Sequence, residues 1–137
     1  MAHLTGACLC GAVTFELTAD PVFQFACHCT DCQRASGGAP TLGMAFPETA
    51  LTVTKGTPKD FVSAGDTGGK VKRSFCGACG SPLFSRPDVT PGMVIVKIGA
   101  LEDPSAFKPQ IDMFMASARP WHVPHEGAAR FDRGPGG

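Results

Sequence analysis

The sequence predicts a mainly β fold stabilised by zinc, and three observations carry that prediction. Short stretches of alternating apolar and polar residues recur along the chain. Seventeen glycines and twelve prolines punctuate them, which favours short strands and tight turns over long helices. Seven cysteines fall into three tight groups, Cys8-Leu9-Cys10, Cys27-His28-Cys29-Thr30-Asp31-Cys32 and Cys76-Gly77-Ala78-Cys79, at spacings that suit metal ligands.

The strands follow in order. Val13, Phe15 and Leu17 alternate with Thr14 and Glu16, the pattern of a strand with one face buried. Phe23 and Phe25 alternate into Cys27, and Leu51 and Val53 alternate with Thr52 and Thr54. Val71 to Phe75 reads the same way, while Val94 to Ile98 is a β-branched run suited to a buried central strand. One short helix is expected from about Thr30 to Ser36, because Thr30 and Asp31 can cap its start and Gly37-Gly38 can stop it. Asp103 to Phe107 suits a single turn. The tail, about 128–137, is rich in glycine and proline and is expected to be flexible.

Composition bounds the function. A chain of 137 residues fits one domain. Twelve basic residues balance twelve acidic ones, so nothing in the overall charge draws the chain to nucleic acid or to an anionic membrane. The first residues show no basic stretch followed by an apolar one, and no eighteen apolar residues run together. The expected location is therefore the cytoplasm, where clustered thiols bind metal or do chemistry rather than form structural disulfides.

Ligands around one zinc ion sit about 3.5 to 4 Å apart. Cys76-x-x-Cys79 turns back on itself with glycines beside it, as a zinc knuckle does, and Cys8-x-Cys10 on an extended chain projects both thiols to one face. Together these four make a closed tetrahedral set whose role is stability. Cys27, Cys29 and Cys32 remain, and they can clasp a second ion with the fourth position open, the pattern of a catalytic zinc. An incoming thiol would lose its proton there and meet an electrophile as a thiolate.

Plainer readings stand beside these. The four cysteines can be buried free thiols, and the middle three can be a closed site completed by His28 or another histidine. His28 lies between two ligands and should point away from them, into the core. Asp31 reads as a helix cap rather than a general base. Arg34, Lys72 and Arg73 can receive a carboxylate-bearing substrate or simply face solvent. Trp121, His122 and His125 read as a late aromatic segment packed over the sheet, and Met113 and Met115 as filler around Phe114.

The stretches Gly6-Ala7-Cys8-Leu9-Cys10-Gly11-Ala12-Val13, Cys27 through Gly37, and Phe75-Cys76-Gly77-Ala78-Cys79-Gly80-Ser81-Pro82-Leu83 together resemble the glutathione-dependent formaldehyde-activating enzyme family, also called the centromere-protein-V/GFA domain family. The likeness runs from about residue 3 to residue 125. It implies one GFA-type domain over 1–137 with an Mss4-like fold of twisted antiparallel sheets and short helical turns. It also implies two zinc ions, a structural one at Cys8, Cys10, Cys76 and Cys79 and a catalytic one at Cys27, Cys29 and Cys32. The implied activity is that of a carbon–sulfur lyase joining glutathione and formaldehyde into S-hydroxymethylglutathione, with a homo-oligomer as a means of completing the pocket.

Two other classes remain in view. A non-enzymatic zinc scaffold or glutathione-binding module would recruit a protein partner, and its middle zinc would lack an exchangeable water. A dithiol redox protein would use Cys29-x-x-Cys32 at a helix start and would purify without zinc.

Overall fold

The computed structural model describes residues 3–64 and 69–135. Among these, eleven strands and one α-helix carry the regular structure, so the mainly β expectation holds. In chain order the strands are β1 (Leu4–Ala7), β2 (Thr14–Leu17), β3 (Phe23–Cys27), β4 (Thr41–Pro47), β5 (Leu51–Lys55), β6 (Lys59–Ala64), β7 (Lys70–Phe75), β8 (Pro82–Pro87), β9 (Met93–Lys97), β10 (Ile111–Met113) and β11 (Ala129–Arg130). Helix α1 (Thr30–Ser36) lies between β3 and β4.

The strands form two sheets. One has the order β1-β2-β5, and the other has the order β11-β10-β3-β4-β9-β8-β7-β6. Every ladder is antiparallel except those of β10, which runs parallel to β3 and to β11.

The core shows why these segments became strands. Val13, Phe15 and Leu17 of the small sheet pack against Met44, Phe46, Phe84, Val94 and Val96 of the large one. Phe15 and Phe84 meet edge to face, with centroids 4.9 Å apart and planes at 79°. Because side chains alternate along a strand, the large sheet turns these residues toward the small sheet and their neighbours the other way. That second face holds Phe25, Cys27 and Ile111, and with Cys29 and Cys32 they form a second apolar cluster.

Several expectations change in detail. β5 was expected to bury one face, yet Thr52, Val53, Thr54 and Lys55 are exposed, because β5 is an edge strand of the small sheet. Strand β9 ends at Lys97, and Ile98–Ala100 form a 3-10 turn. Helix α1 has the expected bounds, but its N-cap is Cys29, whose Sγ accepts the Cys32 amide at 3.3 Å. Neither Thr30 nor Asp31 fills that place. Gly37 closes the helix with φ 87°, a left-handed conformation that favours glycine. The tail segment was expected to be loose from about residue 128. It carries β11, and the Phe131 and Arg133 backbones bond those of Asp112, Phe114 and Met115.

Candidate metal centres and the cleft beside them

The four cysteines of the first set come together from two hairpins. Cys8 and Cys10 lie in the turn between β1 and β2, where the Cys8 amide donates to Val13 O at 3.0 Å and the Gly11 amide to Cys8 O at 3.1 Å. The chain turns at Cys8–Cys10 instead of running extended as the spacing predicts. A tight turn still brings the thiols close, with the two Sγ atoms 3.7 Å apart. Cys76 and Cys79 lie in the turn between β7 and β8, closed by the Gly80 amide donating to Cys76 O at 2.8 Å. Gly80 takes φ 80°, which that turn requires.

Across the hairpins, Cys10 Sγ and Cys76 Sγ are 3.8 Å apart. Sulfurs at about 2.3 Å from a tetrahedral zinc are separated by about 3.8 Å, so the donor set fits the ion. Amides of Val13 and Ala78 donate to the sulfurs of Cys8 and Cys76 at 3.3 and 3.4 Å. The Ser81 hydroxyl, together with its backbone and that of Cys10, holds Cys79 down to about 5. The Val13 amide lowers Cys8.

The second set sits on the other face of the large sheet. Cys27 ends β3, Cys29 caps α1 and Cys32 lies in its first turn, so one short strand-to-helix corner supplies three sulfurs within 4.8 Å of one another. No fourth His, Cys, Asp or Glu among the described residues joins them. As thiols the three divide their protons unequally. Hydrogen bonds from Cys27 and Cys29 hold Cys32 down to about 2, against burial and with help from the Thr41 hydroxyl and the Lys97 charge. Cys27 is driven up, first by Cys29 and then by Cys32. The corner therefore favours a thiolate at Cys32, the form that binds metal.

His28 points away from the sulfurs, as the alternation along β3 requires, and is fully buried. Its Nε2 lies 2.8 Å from Asp112 Oδ1, and its Nδ1 lies 3.0 Å from His122 Nδ1. His122 reaches on to Gly38 O at 2.9 Å. Asp112, also fully buried, takes the His125 backbone amide at 2.8 Å and faces His125 Nδ1 at 3.0 Å. Burial alone would raise the Asp112 carboxyl, yet His28 and His125 lower it overall, so it stands as an anion among donors. Gln33 adds a clasp by donating to His28 O and Ser117 O at 2.8 and 2.9 Å. The segment 117–125 thus straps the corner from behind.

Beside the corner lies a cavity of about 500 Å³, lined among others by Ser36, Thr41, Lys97, Ser81 and Leu9. It runs from Thr41, which supports Cys32, to the turn that carries Cys8.

A family model described as glutathione-dependent formaldehyde-activating enzyme matches residues 3–117. The chain belongs to that family. The large matched span includes all seven cysteines, both turns of the first centre and the whole corner of the second. A crystal structure of a Rhodobacter sphaeroides protein is similar in fold, with a TM-score of 0.58 and 24% identity over 72% of this chain and 87% of that one. No curated protein matches significantly. Among the described residues, no helix is long and apolar enough to cross a membrane.

Within this family member, the structure sorts the other candidates. Asp31 neither caps the helix nor joins the three sulfurs. Arg34 is exposed on α1, and Lys72 lies on the opposite face of β7 from Arg73. Trp121 is 66% exposed rather than packed over the sheet, and its indole N–H donates to Gly38 O at 3.2 Å. Sequence reasoning missed Asp112 and Lys97. Both carried the same signal, a single charge inside an apolar run, Ile111-Asp112-Met113-Phe114 and Val94-Ile95-Val96-Lys97-Ile98.

Proposed function

We propose that this chain is a zinc-dependent enzyme of carbon–sulfur lyase type that joins a small thiol, glutathione foremost, to formaldehyde or a related carbon electrophile. The observation that carries the reading is the three-sulfur corner, which no fourth His, Cys, Asp or Glu among the described residues completes. In this reading Cys8, Cys10, Cys76 and Cys79 hold a structural zinc, and Cys27, Cys29 and Cys32 hold the catalytic one. Zinc bound by three thiolates would supply an open coordination position and lower the pKa of a thiol that takes it.

The chain's own residues prepare that position. Hydrogen bonds from Cys27 and Cys29, with smaller help from Thr41 and Lys97, favour the anionic form of Cys32, so that one sulfur of the corner is held in the state that binds metal. The Asp112–His28–His122 chain and the Gln33 clasp hold the corner from behind, so that the three sulfurs keep their spacing. In the reaction, the thiol sulfur forms a bond to the carbonyl carbon while the carbonyl π pair moves to oxygen. That oxygen takes the proton the thiol gave up, and the product is an S-hydroxymethyl adduct. The reverse breaks the same carbon–sulfur bond. We place the enzyme in the cytoplasm as one domain, since glutathione is abundant in reducing compartments.

The test measures zinc per chain by elemental analysis on anaerobically purified protein, with glutathione binding by calorimetry in wild type and in Cys29→Ser. Two zinc ions in wild type, with glutathione binding and adduct formation both lost in a folded Cys29→Ser, are expected. Full activity in Cys29→Ser would sink the mechanism. One zinc ion and no glutathione binding would favour the scaffold reading.

A further inference from the structure

Two buried polar atoms without a hydrogen-bond partner lie on the sheet face that bears the three-cysteine corner. Arg73 of β7 pairs with Ser85 of β8, and Ser85 pairs with Ile95 of β9. Directly opposite residues share a face, and so do residues two apart along a strand, so Lys97 stands on that face too. Lys97 pairs with Gly43 of β4, and one step of alternation further along β4 stands Thr41, opposite Cys27 of β3. One row of residues therefore leads from Arg73 through Ser85 and Lys97 to Thr41 and Cys27.

Its chemistry is one-sided. Arg73 Nε and Ser85 Oγ are buried without a hydrogen-bond partner. The Arg73 guanidinium is met by one hydroxyl, with Nη1 donating to Ser63 Oγ at 3.0 Å. Among the described residues neither Arg73 nor Lys97 forms an ion pair with a carboxylate. Each of these two cations is within electrostatic reach of the other, and Lys97 is also within reach of all three thiols. Two like charges two strands apart on one face, with buried N–H and O–H groups left over between them, are costly unless an anion with several acceptor oxygens is meant to join them. Between Lys97 and the corner, Gly43 lets the Ile95 and Phe25 side chains pack down on β4, since a β-carbon there would lie 2.7 Å from Ile95 Cγ2 and 3.0 Å from the Phe25 ring. Lys97 also lines the cavity, so that an anion reaching it comes from solvent rather than from the core.

We propose that Arg73, Ser85 and Lys97 form the receptor for a carboxylate of the thiol substrate, fixing its orientation while the sulfur reaches the three-cysteine corner. The assignment rests on the thiol reading of that corner. It adds which residues of this chain select the carboxylate of that thiol, the guanidinium and ammonium rather than the metal. Arginine suits a planar, two-oxygen anion, and lysine adds a point charge nearer the corner. A plainer role, in which Lys97 only balances the thiolate charge, would make no distinction between thiols with and without carboxylates.

The experiment measures binding by calorimetry of two probes, glutathione and its diethyl ester, to zinc-loaded wild type, Arg73→Met and Lys97→Met. Wild type is expected to prefer glutathione by about tenfold or more, the worth of one good charged hydrogen bond, and the preference should fall toward unity in each variant. Equal binding of the two probes by wild type overturns the receptor while leaving the thiol reading standing. So does a preference retained in both variants. If neither probe binds wild type, the thiol reading itself fails and the receptor falls with it. The wild-type comparison needs no substitution, so the test survives a variant that does not fold.

Discussion

Asp112 is the residue whose environment departs most from what its type expects. A carboxylate with no exposure at all is tolerable only if its lone pairs are filled, and here His28 Nε2, the His125 amide and His125 Nδ1 fill them. The carboxylate in turn orients His28, whose neighbours in sequence are two of the three sulfur ligands. Asp112→Asn is expected to cost about 3 kcal/mol at pH 7, read by urea unfolding. The pH dependence has a definite sign. A carboxyl whose folded pKa is depressed stabilises the fold above its unfolded value of about 3.9, and loses that contribution as pH falls through the lower folded value. The gap between wild type and variant should therefore be full at neutral pH and shrink below about pH 4. A gap that stays constant on acidification would show that the ionised form of Asp112 contributes nothing.

At the scale of elements, the turn that carries Cys8 and Cys10 depends on how closely the small sheet is laid on its neighbours. Gly6 in β1 pairs with Phe15 of β2 and bridges to Leu101. A β-carbon at Gly6 would lie 2.2 Å from the Phe15 ring and 2.4 Å from the Ala100 carbonyl oxygen. A ring can rotate away from such a contact, but a backbone carbonyl can yield only if its segment moves. Gly6→Ala is therefore expected to destabilise by about 3 kcal/mol, a fall in Tm on the order of 10 °C. A Tm within about 2 °C of wild type would mean that β1 slides freely over the 3-10 turn. Helix α1 is too short to be stable by itself, and its start is made by a ligand, since the Cys29 sulfur serves as N-cap. If the corner holds zinc as proposed, metal binding and helix initiation share one side chain.

For the whole molecule, zinc bound as proposed at the two cysteine sets would carry unequal structural weight. Cys10 and Cys76 are 66 residues apart in sequence, so metal at the four-cysteine set ties the first hairpin to the β7–β8 turn. Structural zinc sites in small peptides contribute on the order of 10 kcal/mol, comparable to the entire stability of a domain this size. The three-cysteine corner spans six residues and closes no long loop. Cys76→Ser is therefore expected to lose the cooperative thermal transition, whereas Cys29→Ser keeps it, with circular dichroism and zinc content as the readouts. Brief chelation that removes one equivalent of zinc should leave the far-UV spectrum intact, and removal of the second should collapse it. A Cys76→Ser protein that melts like wild type would reverse the assignment of roles.

Local pattern was enough for much of this. The alternation at Val13 to Leu17, Phe23 to Cys27 and Val71 to Phe75 marked strands that exist, because half-burial writes a period of two into the chain. Gly37 marked the end of α1 because only a residue free of a β-carbon takes its backbone angles cheaply. The cysteine spacings marked both donor sets, since metal ligands a few residues apart need little help from the rest of the fold. The strands β4, β8 and β10 escaped notice because buried partners on both faces erase the alternation, as in Thr41 to Pro47. Asp112 beneath His28, and Arg73 in line with Lys97, are meetings across long stretches of sequence. Strand order and register decide such meetings, and both are set by packing between distant segments rather than by any property of the segments themselves.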